Sequence, residues 1–303
     1  MIVENQSNLK VHFAGAEDIN LHELIKDKAG INYHLFTIYP FIRKVQKNDK
    51  KFIERVQKIS KHSIMDSGLF TLMFGAEKGK KSVEFLDNWT NRIIEFVQET
   101  NYTGTYVDVD CQKVLGVDAA WKYRKQLSSQ LPNNRQINVF HIEDGQNGLD
   151  RLIEYSDYIA ISVPELRAIK KKEYLYRIFS YIKNKKPSID IHLLGFTEFV
   201  GLNKYKNASS CDSVSWKQCS MYGQLIKFNT ESKKVEYYDN IKKKSSSKST
   251  RVRLDEIGLT YETDIVNYFD RKLTNRSVIN YGIDLLTARE YKKISEHYAG
   301  SQD

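Results

Sequence analysis

The chain has 303 residues, enough for one large α/β domain or for a domain of about 240 residues with a small appendage. Hydrophobic residues at 41% and aromatics at 12%, with nineteen tyrosines, exclude a disordered chain. Lys and Arg exceed Asp and Glu, 47 against 38, and a basic surface of this kind favours nucleic acid as a partner through counterion release.

No apolar run approaches the roughly eighteen residues of a membrane span, and the first ten residues, MIVENQSNLK, are polar. A soluble intracellular protein without membrane contact is expected. Cys111, Cys211 and Cys219 form no CxxC pair and are too scattered for a disulfide framework or a structural zinc site, so no zinc and no other cofactor is expected. His12, His34, His141 and His192 lie in apolar, strand-like runs, where a buried histidine with one satisfied nitrogen is the expected state.

Alternation over 9–15, ending at Gly15, predicts a first strand, and an amphipathic helix follows over 21–28. Residues 33–41 predict an extended apolar segment that ends near Pro40. Phe52, Ile53, Val56 and Ile59 have helical spacing. Ile64 and Met65 then end a buried strand at Asp66, and Ser67-Gly68 supplies the turn after it. A helix over 82–99 leads to a strand over 104–111 that carries Asp108 and Asp110 on one face. Further units follow: a helix over 119–131, a strand over 137–141 running into Glu143, and a helix over 148–155. Next come a strand over 158–163 closed by Pro164 and Glu165, one long basic helix from 167 to about 183, and a strand over 189–195. A short helix over 199–204 leads into 209–216, which contains Asp212.

Repeated strand-and-helix units imply a parallel sheet with helical crossovers, and about eight of them fit a closed (β/α)8 TIM-like barrel, with an open doubly wound sheet as the alternative. No GxGxxG or GxxxxGK[ST] follows a strand, which argues against a dinucleotide or nucleoside-triphosphate site. Residues 224–228 and 234–238 predict a hairpin. The chain divides into a barrel domain over 1–240, a basic Ser/Lys-rich linker over 241–253 and a small helical appendage over 254–303.

Asp66, Asp108, Asp110, Glu143, Glu165 and Asp212 all fall at or just after predicted strand ends, which a barrel gathers at one mouth. A carboxylate in such a place is as commonly a helix cap or turn former. Gathered in a pocket, these groups suit divalent-metal hydrolysis through Asp108, Asp110 and Glu143, or paired acid and nucleophile work on a glycosidic bond.

Asp66-Ser-Gly-Leu-Phe70, the strand over 106–110 and Cys211-Asp-Ser-Val-Ser-Trp216 resemble the tRNA-guanine transglycosylase superfamily. They are most similar to its phage and bacterial DpdA-type branch, which inserts 7-deazaguanine derivatives into DNA. The resemblance runs over roughly residues 9–228 in the order of its motifs, and implies a (β/α)8 barrel that exchanges guanine for a deazaguanine base on an unbroken sugar-phosphate backbone. It implies that Asp66 handles the proton of the departing and incoming bases, and that Phe70 stacks on the purine beside the Ser67-Gly68 turn. Asp108 or Asp110 would read the guanine edge, since one carboxylate accepts both N1–H and the exocyclic amine. Asp212 would attack C1′ to form a covalent glycosyl-enzyme. Tyr106 and Trp216 join Phe70 as candidate walls for an unstacked base, and His141 completes the expected base-binding set. The basic helix over 167–186 and the linker would hold flanking phosphates.

The sequence departs from the family pattern at Leu69, where a second glycine stands in the family motif, and at Thr71, where a glutamine stands; both departures favour DNA over tRNA as the substrate. The family's zinc motif is absent, and its glycine-rich base-recognition loop is reduced to Ile161-Ser-Val-Pro-Glu165. If the nucleophile's position falls on Ser215 instead of Asp212, the chain is a catalytically silent nucleic-acid-binding barrel.

Overall fold

In the computed structural model, which describes residues 9–44, 48–74, 82–196, 198–238, 265, 268–269 and 274–300, every predicted strand of the alternating region is present. The strands are β1 (Lys10–Ala14), β2 (Tyr33–Thr37), β3 (His62–Asp66), β4 (Thr105–Val107), β5 (Gln136–Phe140), β6 (Tyr158–Ser162), β7 (Asp190–Leu194) and β8 (Ser210–Ser213). They form a closed parallel barrel in chain order, and β1 seals it by pairing with β8, His12 opposite Asp212. The fold is therefore a (β/α)8 barrel, and the open-sheet alternative is excluded.

The connecting helices are α1 (Ile19–Ala29), α2 (Tyr39–Ile42), α3 (Asp49–Ile59), α4 (Leu69–Phe74), α5 (Val83–Thr100), α6 (Gln112–Leu115), α7 (Val117–Gln130), α8 (Gly145–Tyr155), α9 (Val163–Ala168), α10 (Tyr174–Lys185) and α11 (Ser215–Tyr222). Short 3₁₀ turns occupy Ile142–Asp144 and Phe199–Tyr205. Local chemistry sets several ends: Asp18 caps α1 by accepting the Leu21 N–H, and Ser82 caps α5 by accepting that of Phe85.

Two elements differ from the sequence reading. Pro40 sits in the first turn of α2, where no N–H is needed, so the extended run already ends at Thr37. The single basic helix expected over 167–183 is two helices, because Lys170 takes a left-handed φ of 57° between α9 and α10.

Ala14, Leu35, Ile64, Val107, Val139 and Ala160 belong to the apolar cluster that fills the barrel. Side chains alternate along a strand, so Asp66 and His141, each two residues beyond a member of this cluster, project from the same inner face at the C-terminal rim. The larger apolar clusters lie between strands and helices.

After the barrel, β9 (Leu225–Asn229) and β10 (Lys234–Tyr238) pair antiparallel as the predicted hairpin. Helix α12 (Asn275–Ala299) packs on α1, α11 and β9, and its Ile283, Leu286 and Ile294 share a buried cluster with Leu9 and Leu21. The predicted linker over 241–253 and most of 254–273 lie outside the described residues. No helix among the described residues is long and apolar enough to cross a membrane.

Three histidines are buried without a countercharge. His22 and His34 meet through their Nδ1 atoms at 2.6 Å between α1 and β2, and His12 Nε2 meets His62 Nδ1 at 2.9 Å inside the barrel. Burial first, then neighbouring histidines, holds His12 and His22 well below the ordinary range, and burial takes His34 down to about 3. Unfolded histidines take up protons below about pH 6.5, so each of these groups withdraws stability as pH falls through that value, about 2 kcal/mol apiece at about pH 5. Asp66 and Asp108, whose folded pKa values are raised, act in the opposite direction, so the test is differential. His34→Gln is expected to change the difference in urea-unfolding free energy between about pH 7.5 and about pH 5 by about 2 kcal/mol in favour of the acid condition. A difference equal to that of the wild type would contradict a neutral His34.

Candidate active site

Asp66 ends β3, and its Oδ1 accepts the Gly68 N–H at 2.8 Å. Gly68 has φ 75°, and a Cβ there would lie 3.0 Å from the Tyr39 Cβ and 3.2 Å from the Tyr39 nitrogen, so glycine is required for this turn. The Ser67 carbonyl accepts the Trp89 indole N–H at 2.9 Å, which fastens the turn to α5. Burial pushes the Asp66 carboxyl up to about 7; the Gly68 N–H opposes this, and the negative charges of Asp110, Asp212 and Glu17 add to it. Asp66 therefore exchanges a proton near neutral pH. Glu17, in the loop after β1, is itself raised by burial.

His141 follows β5. Its Nε2 lies 2.9 Å from Asp110 Oδ2 and its Nδ1 2.9 Å from Glu165 Oε2, while Lys113 Nζ lies 2.7 Å from Glu165 Oε1. Burial opposes a charge on His141, but hydrogen bonds to the two carboxylates outweigh it and raise the ring to about 10. Burial likewise works against the Glu165 carboxylate, and His141 and Lys113 hold it below the usual range. Asp110, His141, Glu165 and Lys113 thus form a row of alternating charge along the rim from β4 to β6.

Asp212 lies in β8 and is buried. Its Oδ1 accepts the Gly195 N–H at 2.7 Å and lies 3.1 Å from His192 Nε2. The turn at Gly195 has φ 63°, and a Cβ there would lie 2.7 Å from Pro164 Cγ. Close packing against Pro164 in the first turn of α9 therefore keeps this N–H aimed at the carboxylate.

Not every expected residue reaches the mouth. Asp108 and Asp110 do not share a face: β4 ends at Val107, whose side chain points inward, and Asp108 turns outward to Arg124 on α7. There Arg124 Nε donates to Asp108 Oδ2 at 2.7 Å, and Asp108 Oδ1 accepts the Val139 N–H at 3.1 Å. Burial raises Asp108 to about 6 in spite of Arg124. The hydrolytic set of Asp108, Asp110 and Glu143 is therefore not assembled.

Tyr106 and Trp216 are not walls of the mouth either. Tyr106 is wholly buried, with its hydroxyl donating to Gln136, and Trp216 packs on Phe13 and His22 with its indole N–H donating to the Ala14 carbonyl. Phe70, at the start of α4, is 66% exposed. The lysines that end the basic helix sit at the opposite pole, since α10 runs back toward the N-terminal ends of the strands. Lys183 and Lys186 donate to backbone carbonyls there, and Lys185 pairs with Asp150.

Sequence reasoning missed Lys113, Arg124 and His192 as partners of the site carboxylates. The first two sit in helices without any motif, and His192 was read only as a buried strand histidine. For a metal, the donor atoms of His141, Glu143 and Glu165 lie within 4.8 Å of one another. Both His141 nitrogens are engaged with carboxylates, so a cation bound there would have to displace the ring proton and these hydrogen bonds. The three cysteines are free and buried. No protein-family model matches the chain, and no curated protein matches it significantly.

The Asp108–Arg124 pair has 0% and 1% side-chain exposure, so breaking it leaves an uncompensated buried charge. Arg124→Met is expected to lower the urea-unfolding free energy by about 3 to 5 kcal/mol, and the double variant Arg124→Met/Asp108→Leu to recover most of that loss. A single variant within about 1 kcal/mol of wild type would contradict the assignment of Asp108 to this structural pair.

Proposed function

We propose that the protein is a base-exchange glycosyltransferase that replaces guanine by a 7-deazaguanine derivative in nucleic acid, DNA rather than tRNA. The observation that carries this reading is a pair of carboxyl groups at one barrel mouth in unlike environments. Asp66 is pushed up to about 7, while Asp212 is anchored by the Gly195 N–H and His192. Unlike environments for two carboxyl groups are what separate an acid from a nucleophile in glycosyl transfer.

In this mechanism Asp212 attacks C1′ of the target nucleotide. The C1′–O bond forms as the C1′–N9 bond breaks, and Asp66 gives its proton to the departing guanine. The incoming base returns a proton to Asp66 as its ring nitrogen attacks C1′ and expels Asp212, so configuration is retained and the enzyme regenerated. Asp110, hydrogen-bonded to the charged His141, is the acceptor for the N1–H and exocyclic amine of guanine. Phe70 is the exposed aromatic after the Asp66 turn, available to cover an unstacked purine. The excess of Lys and Arg and the departures at Leu69 and Thr71 support DNA as the polymer.

The test incubates the protein with duplex DNA and labelled guanine or a deazaguanine nitrile. Asp212→Ala is expected to abolish incorporation and Asp66→Ala to lower it by about 100-fold to 10,000-fold. Asp66 must carry its proton to release guanine, so formation of the covalent adduct in a single turnover is expected to fall as pH rises through about 7. Equal incorporation by wild type and both variants would remove the assignment.

A further inference from the structure

The barrel interior beneath Asp212 is lined by hydrogen-bonding groups. His192 on β7, Ser210 on β8 and Tyr158 on β6 are all buried, with relative exposures of 0%, 2% and 3%. His192 Nε2 lies 3.1 Å from Asp212 Oδ1, His192 Nδ1 lies 2.5 Å from Ser210 Oγ, and Ser210 Oγ lies 2.5 Å from the Tyr158 hydroxyl. Four side chains from three adjacent strands therefore form one unbroken line that ends on the carboxylate.

The direction of the line follows from what each group is able to donate. A carboxylate only accepts, so His192 donates from Nε2. If that is the ring's single proton, Nδ1 is an acceptor, and the Ser210 hydroxyl is the donor beside it. The serine's only proton is then used, so the Tyr158 hydroxyl donates to Ser210 Oγ; burial raises the Tyr158 phenol well above its ordinary value and keeps that proton in place. Both hydrogen bonds to Asp212 among the described residues fall on Oδ1, so Oδ2 is the oxygen that they leave unengaged.

We propose that Tyr158, Ser210 and His192 form a one-way hydrogen-bond chain that pins Asp212 through Oδ1 and presents Oδ2 for attack on C1′. His192 is the positioning residue, and Ser210 and Tyr158 fix its tautomer. The role in attack rests on the base-exchange reading, whereas the chain and its direction do not. Displacing a reacting atom by about 1 Å costs on the order of 100-fold in rate, so the effect belongs in the rate of adduct formation and not in DNA affinity.

Two readouts separate the parts. Nitrogen-15 NMR of the histidine-labelled full chain near neutral pH is expected to show His192 with its proton on Nε2, and the Nδ1 resonance is expected to move in Ser210→Ala. A proton on Nδ1, or on both nitrogens, would overturn the chain. In single-turnover kinetics His192→Leu is expected to slow adduct formation by about 100-fold with DNA affinity held within about twofold. His192→Gln, which keeps a donor near the Nε2 position, is expected to recover most of that rate. His192→Leu at wild-type rate would overturn the positioning role. A wild-type protein that exchanges no base would remove the base-exchange reading, and the nitrogen spectrum would still decide the chain.

Discussion

The site depends on one electrostatic constraint: carboxyl groups from separate strands meet at one mouth with most of their surface withdrawn from water. Charge in such a place must be paired, hydrogen-bonded or neutralised by a proton. The molecule uses all three devices. His141 and Lys113 pair Asp110 and Glu165, the Gly195 N–H and His192 hold Asp212, and Asp66, with one backbone N–H as its hydrogen-bond partner among the described residues, is the group whose proton is retained toward neutral pH. Chemically identical groups are thus held in unlike states by their surroundings alone.

The barrel makes this convergence possible, because residues distant in the chain end their strands at a common rim. That part was legible in the sequence. Apolar runs closed by Asp66, by Pro164-Glu165 and by Gly195 mark strand ends, and the interposed helices force a parallel sheet. Closure was legible only as a count of about eight units, since the β1–β8 pairing is a long-range contact that no local pattern encodes. Pro40 misled as a strand terminator because the same ring that stops a strand also suits the first turn of a helix.

The site was legible by position and not by partner. Strand-end placement singled out Asp66, Asp108, Asp110, Glu143, Glu165 and Asp212, yet it put Asp108 beside Asp110 by assuming that a strand over 104–111 kept its alternation to the end. The backbone leaves β4 at Val107, and Arg124, sixteen residues on, takes Asp108 to the outer face. Tyr106 and Trp216 share that outcome: each large aromatic next to a strand end is core, held by apolar neighbours and one hydrogen bond. Exposure separates Phe70 from them, and exposure is a tertiary property. His192 escaped notice because a buried strand histidine reads as core until its neighbours are known, and here those neighbours are Asp212 and Ser210.

The unlike surroundings of the mouth carboxyls are what the proposed glycosyl transfer requires, and the raised Asp66 is the part most open to measurement. Carbon-13 NMR of the aspartate carboxyl groups, with Asp66 assigned by its loss in Asp66→Asn, measures that state directly. The account predicts a titration midpoint for Asp66 at about 7, as burial and the neighbouring negative charges dictate. A midpoint near the ordinary aspartate value of about 4 would contradict it.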